Sequence, residues 1–283
     1  MRKIIKKIIR GIERFLKELF GTLKWLFYFI LKTDCRNHVP HVDGAERLIV
    51  LATGPSLTEA IGKIDFSSAD VSAMNVFFNS PWYRKIRPRY YVIADPLLFS
   101  KEEYYAPLMT DTDWDMYLFV PYECWNGNRQ LKHVPNPHIT VVPFQMEVFE
   151  GFRFMKDFIY RKGLSMPKAQ NVLVASIFTG INMGYKEILL YGADHSWTKT
   201  LGVNAQNQVC TVNTHFQDNA PVTFSPFWKN PDTKEAYTMQ ELLRAFADMF
   251  ASYHEIRHFA DKHGCRILNC TPDSLIDAFE RLA

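Results

Sequence analysis

Short β-branched runs recur along this chain, and each one stops at a polar turn. Arg47–Ala52 (RLIVLA) enters Thr53-Gly54-Pro55-Ser56-Leu57, and residues 69–75 end on Asn75. Arg89–Ala94 ends on Asp95-Pro96, and Lys186–Tyr191 runs straight into Gly192-Ala193-Asp194-His195-Ser196. Arg266–Asn269 precedes Cys270-Thr271-Pro272-Asp273-Ser274-Leu275, and Met116–Val120 and Ile139–Val142 supply two further strand patterns. Helical patterns lie between them: Asn171–Met183, made of small and apolar residues, the long stretch Met239–Lys262, and a final helix after Leu275. Strands alternating with helices predict an α/β fold with a mostly parallel sheet and helices on both faces. Such sheets bind ligands beyond the carboxyl ends of their strands, so the polar turns are expected to converge on one crevice.

The first 33 residues have a different character. Apolar side chains from Ile4 to Ile30 recur at steps of 1 and 3, which draws one stripe along a helix. Nine basic residues against two acidic ones give this segment a local net charge of +7, while the rest of the chain carries −4. The longest unbroken apolar run, Trp25–Leu31, is seven residues, and a membrane span needs about 20. Charges recur through Lys24, which does not fit the single apolar block of a secretory leader. The pattern predicts a basic amphipathic helix on an anionic membrane surface. The alternative is a helix that packs on its own domain or pairs with a second copy. Residues 34–46, polar with Pro40 and Gly44, read as a linker, and residues 47–283 as the folded domain.

The mildly acidic body makes nucleic acid an unexpected partner. Five cysteines without a CxxC pair fit neither a disulfide framework nor a zinc site. Residues 197–238 show little periodicity and many Asn and Pro, as in a lid or binding loop.

Among the turns, Thr53-Gly54-Pro55-Ser56 is neither GxGxxG nor a P-loop. Gly54 permits close backbone approach, and a helix starting after Ser56 would aim its N–H groups at an anion. The plain alternative is a βα turn with Ser56 as N-cap. His195 beside Asp194 suits acid–base chemistry, or Asp194 braces neighbouring loops. His215 in the lid could close over a substrate and take a proton. His254-Glu255-Ile256-Arg257-His258 matches HExxH literally but lacks a third zinc ligand in view, and a solvated helix face is expected there. Asp111-Thr112-Asp113 and Asp113-Trp114-Asp115 precede a strand instead of following one, so they are weak signals for a metal-bound nucleotide sugar.

The ordered set Leu51-Ala52-Thr53-Gly54-Pro55-Ser56-Leu57, then Asn75, then Met183 to Asp194, then Asn269 to Leu275, resembles the bacterial sialyltransferases of glycosyltransferase family 42. It is also similar to the related MptE-like (6-hydroxymethylpterin pyrophosphokinase-like) domain family. The resemblance spans roughly residues 47–280. It implies a Rossmann-like domain with a flexible lid and a CMP-activated donor. It further implies inverting transfer without a metal or other cofactor, and a His general base. Thr53 stands where the family's first motif has Asn, and Asp95 near another family Asn. The nucleotide-binding residues it implies, together with the strand-end turns, are Thr53, Gly54, Pro55, Ser56, Asn75, Asp95, Asn171, Gly192, Ser196 and Thr271. The catalytic candidates are His215, His195 and Asp194, with the base left between His215 and His195.

The resulting expectation is a membrane-associated glycosyltransferase. Its donor would be a CMP-linked acidic sugar and its acceptor a glycan or glycolipid of a surface polysaccharide. It would sit peripherally on the cytoplasmic face of the inner membrane, with homo-oligomerisation left open. An ATP-dependent pyrophosphokinase of the MptE-like type, which would need Mg²⁺, and a non-catalytic binding protein are the alternatives.

Overall fold

A computed structural model describes residues 2–31, 39–100, 102–212, 224–230 and 233–282. In chain order the elements are α1 (Arg2–Leu31), β1 (Arg47–Leu51), α2 (Leu57–Ala60), β2 (Asp70–Met74), α3 (Trp82–Ile86) and β3 (Tyr90–Val92). Next come α4 (Ala106–Asp111), β4 (Met116–Pro121), α5 (Tyr122–Gly127), α6 (Arg129–Lys132), β5 (Ile139–Phe144) and α7 (Arg153–Arg161). Then follow α8 (Val172–Met183), β6 (Glu187–Tyr191), β7 (Gly202–Val203), β8 (Val209–Val212), β9 (Phe224–Pro226) and β10 (Trp228–Asn230). The chain closes with β11 (Glu235–Ala236), α9 (Met239–Lys262), β12 (Arg266–Asn269) and β13 (Glu280–Arg281).

Eight strands form the central sheet in the order β13-β12-β6-β1-β2-β3-β4-β5, and every neighbouring pair is parallel. The predicted α/β class is therefore what the chain adopts. The chain moves outward from β1 through β5, then returns to lay β6 on the other side of β1. The order reverses between β1 and β6, and a crevice opens at such a reversal.

Alternation along β1 builds two cores. Leu48 and Val50 face one side, with Ile177 and Ile181 of α8 and Ile256 of α9. Ile49 and Leu51 face the other, against Leu57, Phe77 and Tyr83. Long helices cover the first face. The second is roofed by short helices and 3-10 turns, so both faces are dry, as a parallel sheet requires.

Two expectations are corrected. The final helix is absent: Ile276 and Ala278 are buried while Asp277 between them is exposed. This alternation is strand-like, and β13 pairs parallel to β12. The stretch 197–238 is also less irregular than its composition suggests. Its described part holds an antiparallel β7-β8-β9 sheet and a β10-β11 hairpin, whose strands are too short to leave a periodic signal.

Helix α1 meets the body along a narrow strip. Gly21 lies so close to the Glu150 carbonyl that a Cβ there would stand 2.5 Å from its oxygen. The Thr22 hydroxyl accepts from the Phe152 N–H at 3.1 Å, and Trp25 packs edge-on against Phe149. The apolar stripe points elsewhere, and thirteen large apolar side chains of the helix, from Ile4 to Leu31, stay exposed. Among the described residues no helix is long and apolar enough to cross a membrane.

Candidate active site

The strand-end turns meet as the topology requires. A cavity of about 450 Å³ opens beyond β6, β1, β2 and β3. Thr53, Gly54, Pro55, Asn75, Asp95, Asn171, Gly192, Asp194, His195 and Ser196 all line it. That volume is in the range of small-molecule sites.

The two motifs beside the reversal point are locked together. Gly54 N–H donates to the Gly192 carbonyl at 2.9 Å. The Asp194 carboxylate accepts from the Ser56 N–H at 3.2 Å and from the Ser56 hydroxyl at 2.8 Å. A Cβ on Gly54 would fall 2.0 Å from Asp194 Oδ2 and 2.5 Å from the Gly192 oxygen, so only glycine fits. Asp194 is thus committed to bracing the β1 turn. Ser56 spends its hydroxyl on Asp194, caps no N–H of α2, and does not line the cavity. The anion site expected at the helix after Ser56 is not built, because α2 has only four residues.

The long helix aimed at the cavity is α8. Asn171 caps it by accepting from the Val174 N–H at 3.2 Å, and Val172 and Leu173 line the cavity wall. The positive end of a 12-residue helix therefore faces the ligand space and favours an anion there.

Asn75 occupies the left-handed region, with φ of 47°. Asparagine tolerates this conformation better than most residues. Buried Tyr91 fixes the turn: its hydroxyl donates to the Asn75 carbonyl at 2.8 Å and accepts from the Phe78 N–H at 2.9 Å. The Asn75 side-chain Oδ1 is buried without a hydrogen-bond partner, and so are both amide atoms of Gln145, which sits beside the cavity-lining Met146. Buried polar atoms are rarely left unmatched unless a ligand or solvent completes them.

His195 is 6 % exposed and also left-handed, with φ of 55°. Its Nε2 lies 2.6 Å from the Tyr253 hydroxyl, which accepts from Asn171 Nδ2 at 2.9 Å. Burial disfavours the imidazolium and lowers the His195 pKa from 6.5 to about 3. The ring is neutral at physiological pH and accepts from Tyr253, linking α9 to the cap of α8.

The remaining candidates fall elsewhere. Thr271 is buried off the cavity, where its hydroxyl accepts from the Ala193 N–H at 3.0 Å and donates to the Leu190 carbonyl at 3.3 Å. His215 lies outside the described residues. The paired acids before β4 sit at the opposite end of the sheet, where Asp111, Asp113 and Asp115 face Arg84, Arg87 and His138. Glu255 of the HExxH string is held by Lys156 and Tyr160. Among the described residues, no three His, Cys, Asp or Glu side chains form a metal-binding group.

Sequence reasoning missed Trp197, Met146 and Gln170 on the cavity wall and Tyr253 behind it. Trp197 directly follows the polar cluster and was within reach of that signal. Tyr253 lies in the middle of a regular helix, where no local pattern marks it.

No protein-family model and no curated protein matches the chain. Three solved structures are similar to it at low identity. One is the MAf glycosyltransferase from Magnetospirillum magneticum AMB-1, with 11% identity and a TM-score of 0.49. That match covers 88% of this chain and 35% of the other, so the chain spans about a third of that protein's length. The second is the sialyltransferase CstII from Campylobacter jejuni in complex with a substrate analogue, cytidine-5'-monophosphate. It shows 15% identity, a TM-score of 0.41, and coverage of 84% of this chain and 85% of the other. The third is the monofunctional α-2,3-sialyltransferase Cst-I from Campylobacter jejuni, with 12% identity, a TM-score of 0.42, and coverage of 85% and 81%. Likeness this faint assigns no activity.

Proposed function

We propose that the chain is a membrane-associated glycosyltransferase that uses a nucleotide-activated sugar, with a CMP-linked acidic sugar as donor. The carrying observation is the cavity at the β1/β6 reversal, where Thr53, Asn75, Asn171 and Ser196 surround the positive end of α8. A nucleotide monophosphate leaving group suits such a place, because the α8 dipole and polar groups stabilise its growing charge. The ordered motifs on these turns are those that resemble the sialyltransferases.

In this reading the donor phosphate lies against the first turn of α8, and the nucleoside reaches toward Asn75 and Asp95. An acceptor hydroxyl, with a pKa of about 15, is a poor nucleophile until a base takes its proton during attack. His195 is neutral but holds the Tyr253 hydroxyl. In this reading the base is His215, the nearest match in the stretch 197–238 to the base histidine that the family resemblance implies. Attack opposite the leaving phosphate inverts the anomeric centre. Of the two cavity carboxylates, Asp194 is held by Ser56 and Asp95 accepts from the Leu97 N–H; transfer without a metal is part of the proposal.

The exposed stripe of α1 supports the membrane part of the reading. An apolar surface of thirteen large side chains beside a row of lysines and arginines suits an anionic bilayer and a lipid-linked glycan acceptor, in surface polysaccharide synthesis at the cytoplasmic face of the inner membrane.

Incubation with CMP-, UDP- and GDP-activated sugars in EDTA tests this. Release of CMP alone, increased by lipid-linked glycan, is expected. Turnover of ATP with Mg²⁺ in place of any sugar donor would overturn it.

A further inference from the structure

Helix α7 presents Phe154 and Phe158, one turn apart, to solvent, with 80 % and 60 % of each exposed. Neither is needed by the core, and two bare phenyl rings on one helix face are unusual for a surface with no partner. They also do not stand alone. Phe154 stacks on Phe152 at 5.5 Å between ring centroids, and Phe152 meets Phe15 of α1 at 5.5 Å. The α7 rings thus extend the apolar stripe of α1 onto the body of the domain.

Beside this ridge, between α7 and α9, lies a second cavity of about 350 Å³. Arg153, Lys156, His258 and Lys262 contribute to its wall. Glu255 is already satisfied by Lys156 at 2.5 Å and by the Tyr160 hydroxyl at 2.6 Å. Asp157, the other acid there, faces His263 at 3.3 Å. Arg153 and Lys262 have no ion pair with any described residue, and three Lys and Arg against two acids on the wall leave the cavity a net charge of +1.

We propose that α7 is a second membrane-contact element. Phe154 and Phe158 insert among the acyl chains beside α1, and the Arg153–Lys262 cavity seats the phosphate of an anionic phospholipid. This rests on the membrane reading of α1 and deepens it. With α7 added to α1, the bilayer contact is wider than α1 alone provides. Aromatic insertion next to basic side chains is the chemistry of interfacial binding, and each basic group near an anionic surface adds to it.

Co-sedimentation of the full chain with vesicles tests it. Equal parts phosphatidylglycerol and phosphatidylcholine are compared with phosphatidylcholine alone. The pair Phe154→Ser with Phe158→Ser is expected to weaken partitioning about tenfold on both vesicle types. The pair Arg153→Glu with Lys262→Glu is expected to weaken it about tenfold only where phosphatidylglycerol is present. All four sites lie on the surface, so circular dichroism melts should match the parent chain. Parental binding by both pairs, with binding lost in Ile8→Glu on α1, would overturn the α7 contact and leave the α1 reading standing. No vesicle binding by the parent chain would overturn both. Vesicle binding abolished by millimolar inorganic phosphate would point to a soluble ligand and overturn the headgroup seat. A parent dimer that the phenylalanine pair splits, with vesicle binding unchanged, would assign the ridge to a second copy instead.

Discussion

The Asp194 carboxylate grips Ser56 through both its N–H and its hydroxyl, across 138 residues of sequence. This contact joins the turn after β1 to the turn after β6, the two strands between which the sheet order reverses. It sets the width of the crevice where the nucleotide is proposed to bind. Ser56→Ala and Asp194→Ala should therefore be coupled. Urea unfolding of the single and double variants should give a double-mutant interaction energy of about 1–2 kcal/mol. Strict additivity would remove the clamp.

Gly54 is packed under the same carboxylate. Gly54→Ala forces a methyl group into Asp194 and the Gly192 carbonyl, so the turn must open. A loss of about 1–3 kcal/mol of stability is expected, as for overpacking elsewhere, together with loss of the nucleotide-induced melting shift. A variant that keeps both would show that the turn is looser than its geometry.

His195 gives a pH signature. Its pKa falls from 6.5 to about 3 on folding, so the unfolded chain binds a proton in that window and the folded chain does not. The stability tied to this group is whole above pH 6.5 and declines as pH drops toward 3. At pH 5 the loss is about 2 kcal/mol, from roughly 1.4 kcal/mol per pH unit. His195→Gln should flatten the stability profile between pH 7 and pH 5 relative to the parent. An equal slope in both would mean that His195 is hydrated and protonates in place.

Much of this was legible from the residues. The strands and their order of appearance were visible because a buried parallel strand is a dense apolar run that ends abruptly where the chain turns polar. Asn75 and the Gly54 and Asp194 motifs were visible for that reason. Thr271 was misplaced because a strand-end hydroxyl can equally serve the backbone of the next strand. The short strands beyond Gly202 hid because two to four residues carry no period. The α1 stripe was legible, but its direction was not. Whether an apolar stripe faces the domain or the solvent depends on Gly21, Thr22 and Trp25, which lie off the stripe.

The exposed stripe should be what holds α1 to a bilayer. Ile8→Glu with Phe20→Glu removes apolar contact without touching the strip that meets Glu150 and Phe149, since both side chains are exposed. Liposome flotation should be lost with an unchanged melting temperature. Flotation that survives would place the membrane contact elsewhere.

His215→Ala should reduce transfer by about 10²–10⁴-fold, the span of general-base effects, while nucleotide binding persists. Single-turnover kinetics with a saturating donor would read this. Undiminished transfer would take His215 out of the reaction.

The β1/β6 crevice is proposed to hold a cytidine nucleotide. Thermal melting of the full chain with CMP, UDP, GDP and ATP, each with and without Mg²⁺, tests it most directly, because a ligand of the folded state raises the melting temperature by mass action. A shift with CMP that does not require Mg²⁺ and is lost in Gly54→Ala is expected. A shift with ATP and Mg²⁺ alone would contradict it.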